Sequence, residues 1–313
     1  MNAYPAGQVL NPAGFMNPLN SPVLRGIVLI LIAIALFDVM AAIIKYMGAS
    51  YPPQQLSMFR CFFGVFPAIG LLFLSRDWRR SGRPIKMRQW PLGLMRGFFV
   101  AIAQFCYYTS LANLEFALAA TLTFAGPLFV TGLSIPVLKT KVGLWRWIAV
   151  MIGFAGLIMI MQPGTDVFTP YALLPLCAAF GYASSSVSVK LIDDGVPTPT
   201  INLYSSAGAL LGATIFVVAT DAYRIVETGE DWLWLFAMGL AGGLAVFTLV
   251  SAYRQTSPSN LAPFEYFGIP LSFVIGWLVF GEAPFDRLMP GVFLIVAGGI
   301  IIYWRERYHA AKS

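Results

Sequence analysis

Charge is what this 313-residue chain has least of: Asp, Glu, Lys and Arg make up 11% of it, against 58% hydrophobic residues. Soluble domains carry about 25% charged residues, and a mean hydropathy of +0.74 sets this chain further apart. These values exclude a disordered chain, a nucleic-acid-binding module and an ordinary cytosolic enzyme, and make lipid the main solvent. Histidine is almost missing. The single one, His309, lies in the polar C-terminal stretch, which argues against a His-based metal site or a His-dependent catalytic triad. Cysteine is scarce too: Cys61, Cys106 and Cys177 sit inside apolar runs and read as small membrane-helix residues, with no disulfide framework. No GxxxxGK[ST] phosphate loop occurs, so the chain is not expected to hydrolyse ATP. No catalytic residue, metal ligand set or cofactor is expected.

Long apolar runs are what the chain has in abundance. A membrane-spanning helix needs about 20 mainly apolar residues. Such runs occur at roughly 24–47, 54–74, 90–112, 115–138, 143–161, 168–190, 198–219, 231–253, 260–281 and 287–304. The expected fold is therefore an all-α integral membrane protein of ten transmembrane helices. Residues 1–22 are polar, rich in Pro, Asn and Gly, and lack a basic leader; they read as a tail and not as a cleaved signal peptide. Residues 305–313 read as a second short tail. With the N-terminus inside, fifteen Lys and Arg residues fall on the inner side and three, Lys45, Arg224 and Arg287, on the outer side. By the positive-inside rule both termini are expected in the cytoplasm, with the chain in an inner (plasma) membrane, contacted by lipid.

A shift of 145 or 146 residues superimposes the two halves. Lys45 meets Lys190, Gln55-Leu56 falls on Thr200-Ile201, and Gly93 and Gly97 meet Gly239 and Gly243. At an offset of 143, Pro127 meets Pro270 and Gly156 meets Gly299. Five spans per half is odd, so the repeats 23–163 and 164–304 must lie in the membrane with opposite topology. An inverted 5+5 repeat belongs to carriers that work by alternating access.

The segment APFEYFGIPLSFVIGWLVFGE, from Ala262 to Glu282, and the following PFDRLMPGVFLIVAGGIIIYWRER resemble the last two helices of EamA-type carriers in the drug/metabolite transporter superfamily. VGLWRWIAVMIGFAGLIMIMQ, ending at Gln162, is similar to the matching part of the first half, and IIKYMGASYPPQQLSMFR, ending at Arg60, also looks like the family. The resemblance covers nearly all of the chain after residue 22. It implies a ten-helix inner-membrane carrier that exports or exchanges small metabolites, amino acids included. Some members with a similar ninth helix carry S-adenosylmethionine or nucleotide-like solutes. One departure is plain: the glutamate that ends the family's fourth helix aligns with Thr140, whereas its second-half counterpart is kept as Glu282.

An ionised side chain at the bilayer centre costs about 2.5–3.5 kcal/mol on insertion scales, so each needs a partner or a wet cavity. Asp38 lies about 13 Å from the outer end of span 1, and Arg60 about 10 Å into span 2 from the same side. An Asp38–Arg60 ion pair is thus available, serving structure or function. Lys45 reads first as a residue whose ammonium reaches the outer interface. Near the inner side, Arg96 in span 3 and Glu265 in span 9 lie at similar depth and could pair across the halves as a gate or as static glue, with Arg254 as a competing partner for Glu265. Asp38 and Glu265 are the candidate proton carriers, protons being the coupling ion to consider.

Spans 4 and 9 are the expected lining of the substrate path. Each carries proline near its middle, Pro127 and Pro270, with Pro263 in addition; proline breaks the backbone ladder and bares polar groups. Thr121, Thr123, Phe124, Glu265, Tyr266 and Phe267 surround these kinks. Gln104, Tyr107 and Tyr108 from span 3, and Tyr182, Ser185 and Ser186 from span 6, are the facing candidates. Hydroxyls and amides set among aromatic walls suit an amphipathic small molecule such as an amino acid. The GxxxG pairs Gly93–Gly97, Gly208–Gly212 and Gly239–Gly243 read as helix-packing sites. A self-sufficient monomeric carrier for a small organic solute is the leading expectation. A passive channel or a lipid-modifying enzyme is the competing class, though the latter usually needs a cluster of His, Asp or Glu that this chain lacks.

Overall fold

The computed structural model describes residues 22–310 except 81, 83–84, 139–143, 163–167, 194, 256–260, 262–263 and 283–284. Thr140, Pro263, the 1–21 tail and the 163/164 repeat boundary lie outside the described residues. The described chain is helical. Its principal helices are α1 (Pro22–Met47), α2 (Pro53–Leu74), α3 (Trp90–Asn113), α4 (Phe116–Thr123), α5 (Gly126–Leu138) and α6 (Leu144–Met161). After these come α7 (Leu173–Ser188), α8 (Thr198–Ala219), α9 (Gly229–Gln255), α10 (Gly268–Phe280) and α11 (Gly291–Ala310). Helix is the solution lipid demands, because every backbone N–H must find its acceptor within the segment. Proline opens several of them, at Pro22, Pro53, Pro91 and Pro199, where its missing N–H is not needed.

Among the described residues, six helical stretches are long and apolar enough to cross a membrane, and two shorter apolar helices accompany them. The surface is apolar: Leu278 is 70% exposed and Val218 75%, as expected of side chains that meet lipid. Alanine, glycine and serine fill much of the interior. α3 is not among the six. It carries Arg96, Gln104 and Tyr108, all buried, and it is enclosed by α7, α8, α2 and α1. The polar side chains of α3 are thus turned into the bundle.

The packing partners recur under the 145-residue offset. α1 packs on α9 as α7 packs on α3, and α3 packs on α8 as α9 packs on α2. The GxxxG glycines lie at the second kind of crossing. A methyl group added at Gly97 would run into the backbone of Ser205 and Ala209, and one at Gly208 into the Leu94 carbonyl. At the related crossing, Gly239 and Gly243 face Phe63 and Pro67. Both crossings need bare backbone for close approach.

The expected spans 115–138 and 260–281 are not continuous helices. A two-residue turn, Phe124-Ala125, separates α4 from α5, and the turn Tyr266-Phe267 precedes α10. Pro127 is the second residue of α5 and Pro270 the third of α10. Lacking an N–H, each cannot donate to the carbonyl four residues before it. The proline positions thus mark helix starts after a break, where kinks were expected.

Candidate functional site

A cavity of about 530 Å³ occupies the middle of the bundle. α1 supplies Phe37, Asp38 and Met40; α2 supplies Arg60 and Cys61; α3 supplies Arg96, Gln104, Tyr107 and Tyr108. The α4 break contributes Thr123 and Phe124, and α7 contributes Tyr182 and Ser185. α8 and α9 complete it with Asn202, Ser205, Ser206, Gly242 and Val250 among others. At one end the lining reaches Thr198 and Pro199, the first residues of α8. This end is called the Arg96 end below; the opposite one, with Lys45 and the loops 48–52 and 220–228, is the Lys45 end.

Of the residues singled out from sequence, Asp38, Arg60, Arg96, Gln104, Tyr107, Tyr108, Thr123, Phe124, Tyr182 and Ser185 meet around this cavity. Thr121 is fully buried beside it, and Ser186 is exposed, its hydroxyl donating to the Tyr182 carbonyl at 2.9 Å. Glu265, Tyr266 and Phe267 do not line it; Tyr266 reaches it only through its ring contact with Phe124, 6.1 Å between centroids. Sequence reasoning missed the α8 wall. Its signal was present, because Asn202, Ser205, Ser206 and Ala209 recur at helical spacing on one face.

Two expected ion pairs are not formed. No Asp38–Arg60 bridge exists within 4 Å among the described residues. The reason is packing: α9 lies against both α1 and α2, so neighbours in sequence are not neighbours in space. A methyl group at Gly242 of α9 would come within 2.6 Å of Met40 Sδ and 3.1 Å of Arg60 Nε, so the bare backbone of α9 is what lets both side chains in. Arg96 and Glu265 do not meet either. Arg96 donates from Nε to the Ser185 carbonyl and from Nη1 to Ser205 Oγ, each at 2.9 Å, tying α3 to α7 and α8. Glu265 instead accepts a hydrogen bond from the Tyr253 hydroxyl on α9.

The Gln104 amide oxygen is held by Ser57 Oγ at 2.8 Å and Cys61 Sγ at 3.2 Å, which fixes its orientation at the cavity wall. Asp38 Oδ2, Arg60 Nε and Tyr108 Oη are buried with no hydrogen-bond partner. Among the described residues no group of three His, Cys, Asp or Glu side chains is placed to hold a metal ion.

Contacts between the halves cross the Lys45 end. Lys45 Nζ lies 2.7 Å from Glu282 Oε1 and donates to the Leu114 carbonyl at 2.6 Å, with its ammonium 5.3 Å above the Phe280 ring. Lys45 therefore does not simply reach for the interface. Glu282 is delivered by Gly281, whose φ of +66° turns the chain at the end of α10, a conformation glycine adopts at little cost. The second Glu282 oxygen accepts the Phe116 N–H at 2.6 Å, a charge well placed at the α4 N-terminus. Nearby, Tyr51 donates to Asp231 at 2.8 Å. Gln55 exchanges two bonds with the Arg224 backbone, at 2.7 and 2.8 Å, and Arg224 Nη1 donates to the Ser50 carbonyl at 2.8 Å. Burial, followed by the Asp231 hydrogen bond and the charges of Asp231 and Glu227, pushes the Tyr51 hydroxyl up to about 12, so it stays protonated and donating throughout the physiological range.

Comparison with known proteins places this geometry in context. A model described as the EamA-like transporter family matches residues 24–162 and again 169–304. A riboflavin transporter of Vibrio cholerae is 34% identical over 59% of this chain and 62% of its own length. An S-adenosylmethionine uptake transporter of Rickettsia felis is 23% identical over 86% of this chain and 88% of its own. A pseudopaline exporter of Pseudomonas aeruginosa is 28% identical over 88% and 93%. A crystal structure that is 18% identical shares the fold, with a TM-score of 0.58 over 90% of this chain and 96% of that one.

Proposed function

The chain belongs to the EamA-like transporter family, and from that premise we propose that it is a secondary carrier moving a small organic metabolite across the inner membrane by alternating access. It is a multi-pass membrane transporter whose relatives include transporters of riboflavin, S-adenosylmethionine and pseudopaline. In this proposal ten helices form two inverted halves, 23–163 and 164–304, with both termini in the cytoplasm. The doubled family match and the packing partners that recur between halves support it. One observation carries the mechanism: a cavity lined by both halves reaches the Arg96 end, while an ion pair and hydrogen bonds between halves close the Lys45 end. On the positive-inside orientation this conformation faces the cytoplasm. Exchanging the conformations of the two halves would carry the solute to the other side.

The preferred cargo is an amino acid or similar amphipathic metabolite, exported or exchanged, by a monomer. Aromatic walls would cover its apolar part while Gln104, Ser185 and the tyrosine hydroxyls replace water. Uptake or exchange of an S-adenosylmethionine-like solute is the second reading, favoured by relatives aligned over most of the chain. Proteoliposomes loaded with unlabelled solute test the class. A carrier speeds entry of labelled solute from outside; equal flux with and without internal solute indicates a channel, and no flux with any amino acid, riboflavin or S-adenosylmethionine reopens the enzyme reading.

A further inference from the structure

Resting on that carrier reading, we infer that Asp38 and Arg60 are the two poles of a receptor for a zwitterion, Asp38 holding the substrate's ammonium and Arg60 its carboxylate. Both line the central cavity. Asp38 is only 9% exposed, and its Oδ2 has no partner; the Nε of Arg60 is likewise buried and unpartnered. They do not neutralise each other, since no ion pair joins them within 4 Å.

Two unlike charges kept apart in one apolar chamber are costly, because each loses water and gains no counter-charge. The fold could remove that cost by letting them touch. It does the opposite: α9 is packed against both helices, and Met40 and Arg60 crowd the space over Gly242. A static structural pair needs no such spacer. A solute bearing both charges would complete both groups at once, and it would fit a cavity of about 530 Å³, within the range of small-molecule sites. An arginine fork also suits a carboxylate in particular, which it can hold through two parallel bonds. The tyrosines beside the two poles then face the rest of the molecule, favouring a planar or aromatic body.

The test uses the purified full-length chain and titration calorimetry. The probes are L-tryptophan and S-adenosylmethionine as zwitterions, tryptophan methyl ester without the carboxylate, N-acetyltryptophan without the ammonium, and neutral riboflavin. The expected result is that L-tryptophan or S-adenosylmethionine binds, and that L-tryptophan binds at least about tenfold tighter than the ester or the N-acetyl compound, the loss of a charge-assisted contact. Asp38→Asn should erase the preference over N-acetyltryptophan and keep that over the ester; Arg60→Gln should do the reverse. Riboflavin binding that surpasses both zwitterions and ignores either substitution would overturn the assignment. So would equal binding of all three tryptophan compounds, or an equal loss for every probe in each variant. The analogue comparison needs only the unsubstituted chain, so it stands where a variant fails to fold. Counterflow of riboflavin without counterflow of a zwitterion removes this inference and leaves the carrier; no counterflow with any probe removes both.

Discussion

At the Lys45 end, the ammonium of Lys45 closes on Glu282 across 2.7 Å and on the Leu114 carbonyl, and four further hydrogen bonds join residues 50–55 to segment 224–231. At the Arg96 end, the residue related to Lys45 by the repeat, Lys190, is exposed, and the position related to Glu282 holds Thr140, which carries no charge. Both ends carry contacts between the halves, at the Arg96 end through Gln89, whose amide oxygen accepts the Asp193 N–H at 2.9 Å, and the Lys45 end adds the Lys45–Glu282 ion pair. In a carrier that alternates between two states, the end with more contacts made only on closure stays shut for longer. Under the carrier reading proposed above, the Lys45–Glu282 pair, whose repeat-related positions in sequence are Lys190 and Thr140, is the contact that favours closure of the Lys45 end.

The most damaging way to break this comparison is at the helix crossing beside the Arg96 end. Gly97→Leu would drive a side chain into the backbone of α8. We expect a loss of more than about 3 kcal/mol, beyond ordinary overpacking, seen as aggregation on size-exclusion chromatography. Gly132→Leu, with open space around it, should be silent. Next comes Glu282→Gln, which removes the counter-charge of a largely buried ammonium and leaves one amide oxygen to serve both Lys45 and the Phe116 N–H. Weakened closure by about 1–3 kcal/mol is expected, read as increased thiol labelling of the cavity from the Lys45 side. Arg96→Gln removes two charge-assisted hydrogen bonds, an expected loss of about 1.5–3 kcal/mol in thermal unfolding. Combined with Glu265→Gln it should be additive within about 0.5 kcal/mol, since the two do not touch; strong coupling would restore the gate pair that the packing denies. The smallest effect is a sharpening one. Thr140→Glu restores in the first half the charge that Glu282 carries in the second; an exposed ion pair is worth about 0.2–1 kcal/mol, so labelling from the Arg96 side should slow up to about fivefold.

Much of this was legible in the chain itself because lipid imposes simple rules. Apolar runs gave the helices, the matched prolines gave the breaks at Phe124-Ala125 and Tyr266-Phe267, and the scarce charges pointed to Asp38, Arg60 and Arg96 at the cavity. What escaped was non-local. Span 1 and span 2 follow one another in the chain, yet α9 intervenes. Lys45 finds its counter-charge 237 positions away, in the other half. Periodicity says which face of a helix is polar and not which helix it meets, so Arg96 and Glu265 looked alike in depth while packing against different neighbours. The repeat pairs the helix of Glu265 with span 4 and so points to it as cavity lining; among the described residues the first-half break contributes Thr123 and Phe124, while Glu265, Tyr266 and Phe267 do not line the cavity.

The central claim is that the cavity communicates with the Arg96 end and is sealed at the Lys45 end. Cys61 lines the cavity, so a Cys106→Ser, Cys177→Ser background makes it a native reporter. A membrane-impermeant maleimide is applied to one side at a time in vesicles of known orientation. The account predicts that Cys61 reacts at least about tenfold faster from the Arg96 side, a bias of about 1.4 kcal/mol, and that Glu282→Gln narrows the difference. Faster reaction from the Lys45 side, or equal rates from both, would contradict it.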